Sequence, residues 1–131
     1  MNNVRRIFED GLALAKEGDL NAALSKFKEA LRQAPPTKEK LWVGLCHRNI
    51  AMIHELRGEL LKAKRSHLNA LKYRGPDPYT YHWLGTLSES RGEVAAAKRY
   101  FARCEELATL EKDEDLLKLL ANRKRSKRFR K

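Results

Sequence analysis

The sequence predicts an all-α fold built from three similar helical hairpins stacked side by side, and three observations predict it. Gly18, Gly58 and Gly92 each fall between two segments of helical character, and 34 residues separate Gly58 from Gly92. The first interval, from Gly18 to Gly58, is six residues longer. Around each glycine the same order of small and large residues recurs, which is the mark of a repeat architecture.

The elements follow in order. Helices are expected near residues 3–17, 19–33, 38–57, 59–73, 78–91 and 93–108, and a seventh near 112–123. Gly18 allows the left-handed conformation that ends many helices, and Asp19 after it can cap the next. Gly11, Ala23 and Ala30 are small where two helices cross, with Phe27 filling the gap between them. Pro35-Pro36 cannot continue a helix and stops the second one. The six extra residues lengthen the helix after Thr37 and would carry Leu41 and Trp42 beyond the usual repeat; a longer loop is the alternative. Asp77-Pro78 pairs a cap with proline at the first helical position. In the seventh segment Asp113, Glu114 and Asp115 suit a helix N-terminus. Leu116, Leu117, Leu119 and Leu120 form the stripe with which it would cover the open face of the last repeat.

These residues together resemble the tetratricopeptide repeat family over roughly residues 4 to 109. The units read Gly18-Asp19, Ala23, Phe27, Ala30, Pro35; then Gly58-Glu59, Ala63, His67, Ala70, Gly75-Pro76; then Gly92-Glu93, Ala97, Phe101, Cys104, Thr109. Their first helices carry Ile7, Asp10 and Gly11, then His47, Ile50 and Ala51, then Tyr81, Leu84 and Gly85. The resemblance implies a right-handed α-α superhelix, with repeats at 4–37, 38–77 and 78–111 and a capping helix at 112–123; chain length adds a single domain over 1–121, and charge a basic tail at 122–131.

It also implies a concave groove, lined by the first helix of each hairpin, that binds a peptide segment of a partner protein. The groove residues would be Arg5, Phe8, Leu12 and Lys16; then Leu45, Arg48, Asn49, Met52 and Glu55; then Tyr79, His82, Trp83, Thr86 and Glu89. Ile7, Leu14, Ile50, Tyr81 and Leu84 would face the second helices. Some members of the family grip the carboxylate end of heat-shock chaperones with Lys, Asn and Arg. At the matching positions this chain has Phe8 and Leu12, Asn49, and Tyr79 and Trp83. Only Asn49 agrees, so converging cations are missing and that reading is set aside.

Composition bounds the rest. The chain has 131 residues, a net charge of +11 and two cysteines. No apolar run is long enough for a membrane span, and the charged segment Met1 to Glu9 does not read as a secretory signal. Cys46 and Cys104 read as free, buried thiols in a reducing, cytoplasmic setting. Seven of the last ten residues are basic: Arg123, Lys124, Arg125, Lys127, Arg128, Arg130 and Lys131. Either this run is a solvated end, or it holds nucleic acid or another polyanion. His47, His54 and His67 cluster in the second repeat. His47 and His54 stand about 10 Å apart along their helix, too far for one ion without side-chain reach, so they read as packing rings rather than a metal site. There is no glycine-rich phosphate loop, no His-Glu-x-x-His and no paired cysteines, so neither catalysis nor a cofactor is expected. The chain reads as an adaptor, scaffold or chaperone-like binding module. The alternative is a nucleic-acid- or ribosome-associated factor held by its tail. Self-association through Trp42 or the groove is a further option.

Overall fold

The computed structural model describes residues 3–34 and 40–128, with side chains through Ser126. Those residues form seven α-helices: α1 (Asn3–Lys16), α2 (Leu20–Gln33), α3 (Lys40–Leu56), α4 (Leu60–Arg74), α5 (Pro78–Ser90), α6 (Val94–Glu111) and α7 (Glu114–Arg128). Consecutive helices pair as α1 with α2, α3 with α4 and α5 with α6, while α7 packs on α6. The chain divides into two compact units at Gly75: Met1–Gly75 holds the first two hairpins, and Pro76–Lys131 the third with α7.

One turn closes all three hairpins. Gly18, Gly58 and Gly92 have φ of 86°, 74° and 77°, a conformation that costs a residue with a Cβ about 1–2 kcal/mol. The amide after each glycine then donates to a carbonyl five residues back: Asp19 to Leu14 at 3.0 Å, Glu59 to His54 at 2.8 Å, Glu93 to Ser88 at 2.8 Å. These bonds satisfy carbonyls that the ending helix leaves open. Asp19 also caps α2 by accepting from the Ala22 amide, whereas Glu59 and Glu93 make no such bond. Asp77 caps α5 by accepting from the Tyr79 amide, and Pro78 opens the helix. α2 ends at Gln33 with Ala34 as its cap; the expected stop at Pro35-Pro36 lies outside the described residues.

The two glycine–aromatic pairs hold the helices of their hairpins close. A Cβ on Gly11 would stand 2.8 Å from the Phe27 ring, and one on Gly85 would stand 2.9 Å from the Phe101 ring. In the first unit Phe8, Phe27 and Trp42 pack as a tilted aromatic trio, with centroids 5.5 Å apart for Phe8–Phe27 and 5.4 Å for Phe8–Trp42. Trp42 therefore does not project beyond the repeat: it is half-buried against α1, while Leu41 is exposed. The extra length of α3 lies along α4, because Gly44 lets the two backbones meet. A Cβ there would fall 2.5 Å from the Arg74 Cβ and 3.0 Å from its backbone nitrogen. His47, one turn on, stacks on Tyr73 at 5.7 Å.

In the second unit α6 runs past the expected end at 108 to Glu111, and the Thr109 hydroxyl inside it donates to the Glu105 carbonyl at 2.8 Å. Lys112 makes the turn with φ 55°, and the Asp113 amide donates to the Ala108 carbonyl at 2.9 Å. Asp113 then caps α7 at the Leu116 amide, 3.0 Å away. Leu116 and Leu120 are buried with Phe101, Cys104 and Ala108, and Leu117 packs against them; Leu119 is exposed. α7 continues to Arg128, five residues beyond the expected end at 123.

Candidate functional site

The first helices expose part of the face expected to line a groove and bury the rest. In the first unit Arg5 is exposed and paired with Glu9 at 2.9 Å, and Lys16 is exposed. Phe8 is buried between Phe27 and Trp42, and Leu12 packs against the same core. The expectation for Phe8 is corrected: Trp42 on the lengthened α3 reaches Phe8 and covers that position of the α1 face, while Leu12 is half-buried. On α3, Met52 is 47% exposed, Arg48 is half-buried, and Leu45 packs into the core. Asn49 is half-buried and donates to the Leu45 carbonyl of its own helix at 2.8 Å, so its amide is already engaged.

In the second unit Tyr79 is half exposed and donates its hydroxyl to Asp113 at 2.6 Å, which raises the Tyr79 pKa and lowers that of Asp113. Trp83 is half-buried, and Thr86 is exposed with its hydroxyl on the His82 carbonyl. His82 does not face outward as expected: its ring meets Phe101 edge-on at 5.6 Å, and burial lowers its pKa. The opposite face packs inward. Ile50 and Leu84 are buried, and Ile7, Leu14 and Tyr81 pack against the two cores.

The basic run is partly tied down. Arg123 bonds Glu89 at 2.5 Å and lays its guanidinium 3.5 Å over the Phe101 ring, an arrangement that joins α7 to α5 and α6. Lys124 pairs with Glu105 at 3.0 Å, and Arg125 is exposed. The side chains of Lys127 and Arg128, and all of Arg130 and Lys131, lie outside the described residues.

The histidines have separate surroundings. His47 stacks on Tyr73, and burial lowers its pKa. Buried His54 places Nδ1 3.0 Å from Glu59, whose carboxyl is held below its ordinary value by that bond and by Lys62. Buried His67 has Nε2 3.7 Å from Glu55, whose carboxyl burial pushes up to about 7. Among the described residues no three His, Cys, Asp or Glu side chains group to hold a metal. Burial raises the thiols of Cys46 to about 12 and Cys104 to about 11, far from the thiolate a nucleophile needs. No helix of the described residues is long and apolar enough to cross a membrane.

One feature of the first unit was not anticipated. A cleft of about 300 Å³ opens between α2, α3 and α4, and Lys28, Lys62, Arg65, His47 and His54 line it. Its sequence signal was available in α4, which carries Lys62, Lys64, Arg65, Lys72 and Arg74 and no acid from Leu60 to Arg74. Compared with known proteins, the chain matches no family model and no curated relative.

Proposed function

We propose that this chain is a non-catalytic protein-interaction module of the tetratricopeptide type, cytoplasmic, whose hairpins stack as a right-handed superhelix and hold a partner's peptide segment. The observation that carries the reading is the recurrence of one glycine-closed hairpin, with large side chains accessible on the first helix of the second and third. Met52 on α3 and Tyr79 on α5 are each about half exposed, on helices whose other faces are packed against α4 and α6. Half-buried Arg48 and Trp83 are of the types that dominate interface energetics. The partner segment would bring an apolar anchor, with acidic flanks facing Arg5 and Arg48. Such a module serves as an adaptor, scaffold or chaperone.

The second reading, a nucleic-acid- or ribosome-associated factor, is favoured by the helical continuation of the basic run to Arg128. Capture from host lysate with three full-length proteins separates the two. Wild type is compared with Met52→Glu/Trp83→Ala and with a variant in which Lys124, Arg125, Lys127, Arg128, Arg130 and Lys131 are replaced by Gln. Arg123 stays in every protein because it holds α7. A protein partner lost only in the first variant supports the groove. Recovered RNA or DNA lost only in the second supports the tail. A partner retained by both variants would sink both readings.

A further inference from the structure

We propose that the cleft between α2, α3 and α4 is a binding site for a phosphate monoester. The site lies in the first unit alone and is formed largely by second helices, so it is independent of the peptide groove. α2 contributes Lys28 and Leu31; α3 contributes His47, Ile50 and His54; α4 contributes Lys62, Arg65, Ser66 and Asn69. The described lining therefore holds three permanent cations, two imidazoles, a hydroxyl and a carboxamide, and no carboxylate. Leu31 and Ile50 supply an apolar portion, the mixture expected of a small-ligand site.

The charges are available. Lys28 and Arg65 have no Asp or Glu within ion-pair distance among the described residues, although Lys26 beside them on α2 is paired with Glu29. Lys62 is shared with Glu59 at 3.3 Å, and Glu59 also holds His54 Nδ1 at 3.0 Å, leaving His54 Nε2 as its second ring position. Glu59 thus fixes a cleft-lining imidazole at the expense of part of one cation. Three cations and two imidazoles on the wall of one concavity, with Glu59 bonded to two of these lining residues, make a field suited to a compact dianion. A guanidinium can meet two of its oxygens at once.

The shape favours a terminal phosphoryl group over a nucleic-acid backbone. A diester chain needs a continued row of cations. The next cation along α4, Lys72, is instead turned over the Tyr73 ring, 5.4 Å from its centroid. A monoester presents two charges on a group that enters end-on, with its ester substituent at the mouth. Its source is either a small phosphorylated metabolite or a phosphorylated side chain of a protein.

The test is a ¹H–¹⁵N NMR titration of the full chain at constant ionic strength in a phosphate-free buffer. Probes are inorganic phosphate, ribose 5-phosphate, a phosphoserine peptide and a single-stranded oligonucleotide. Saturable shifts with inorganic phosphate confined to residues 28–31, 47–54 and 62–69 are expected. Lys28→Glu/Arg65→Glu should weaken them at least tenfold, while Arg99→Glu, a charge reversal in the second unit, should leave them unchanged. Tighter binding of the sugar phosphate or of the peptide than of inorganic phosphate identifies the source. Equal binding of all three assigns the site to the phosphate group alone. Shifts spread over every basic side chain, shifts that survive the double variant, or binding of the oligonucleotide without phosphate would each overturn the proposal. Circular dichroism confirms that the double variant is folded; both side chains are exposed, so an unfolded variant would contradict their placement.

Discussion

At the residue scale, two side chains are set by how little room or water they have. Gly44 faces the Cβ and backbone nitrogen of Arg74 at 2.5 and 3.0 Å, so an added methyl can be accommodated only by parting α3 from α4. Gly11 meets ring atoms of the Phe27 side chain at 2.8 Å and no backbone atom among its nearest neighbours, so a side chain rather than a helix has to shift. Alanine gains about 1 kcal/mol over glycine inside a helix, while overpacking costs about 1–3 kcal/mol. Gly44→Ala should therefore lose about 2 kcal/mol net, and Gly11→Ala about 1 kcal/mol or less. Urea unfolding of the two variants checks this, and an equal loss would show that the backbone approach at Gly44 is not the tighter one. Glu55 makes the second case. Its ordinary value is 4.5 and burial raises it to about 7, so between these pH values the folded chain keeps a proton that the unfolded chain has released. Its stabilising contribution is complete below about 4.5 and is lost as pH rises through about 7. Glu55→Gln should flatten the decline of Tm between these values. His67, 3.7 Å away, remains in the variant, so the difference between the two profiles reports the carboxyl. Parallel profiles would refute the assignment.

At the scale of elements, α7 is fastened at two places. Leu116 and Leu120 bury its first half, and Arg123 holds the second half through Glu89 and the Phe101 ring. A partly exposed charged hydrogen bond with a cation–π contact contributes about 1–2 kcal/mol. Arg123→Ala should raise amide exchange in the later part of α7 by about tenfold while α5 and α6 keep their protection. Exposed Arg125→Ala serves as the control, and equal exchange in both variants would remove the fastening role. The sequence made the helices and their turns legible because each hairpin turns at a glycine whose left-handed φ is a local requirement. It also placed Leu116, Leu117 and Leu120 correctly as the packed side of α7. It missed whatever depended on a neighbouring element. Phe8 fell on the groove face by the resemblance, yet Trp42 from α3 covers it. His82 fell there too, yet it turns onto Phe101. Arg123 read as part of a run that was either solvated or held a polyanion, because Glu89, its partner, lies 34 positions earlier. Gly44 was passed over because its meaning lies in Arg74, a residue of the opposite helix.

At the scale of the whole molecule, charge is the property with the longest reach. The chain carries +11 with a sequence pI near 9.9, and α4 alone presents five basic residues without an acid. Like charges repel over about 30 Å at ~0.01 M salt and about 10 Å at ~0.1 M. Added salt also weakens ion pairs, but the exposed pairs here, such as Lys124–Glu105 and Arg5–Glu9, contribute only about 0–1 kcal/mol each. Their short separations are also screened less than the repulsion between distant cations. Relief of repulsion should therefore win, and Tm should rise by a few degrees as NaCl goes from ~0.01 to ~0.1 M. Replacing one of the uncompensated cations by an acid should reproduce part of that gain without salt. Arg65→Glu, on the acid-free face of α4, should raise the Tm at low salt and shrink the response to NaCl. Thermal unfolding of both proteins at the two salt concentrations decides the matter. A wild-type Tm that falls with salt would mean that the paired charges outweigh the unpaired ones, and the basic face of α4 would then be no burden on the fold.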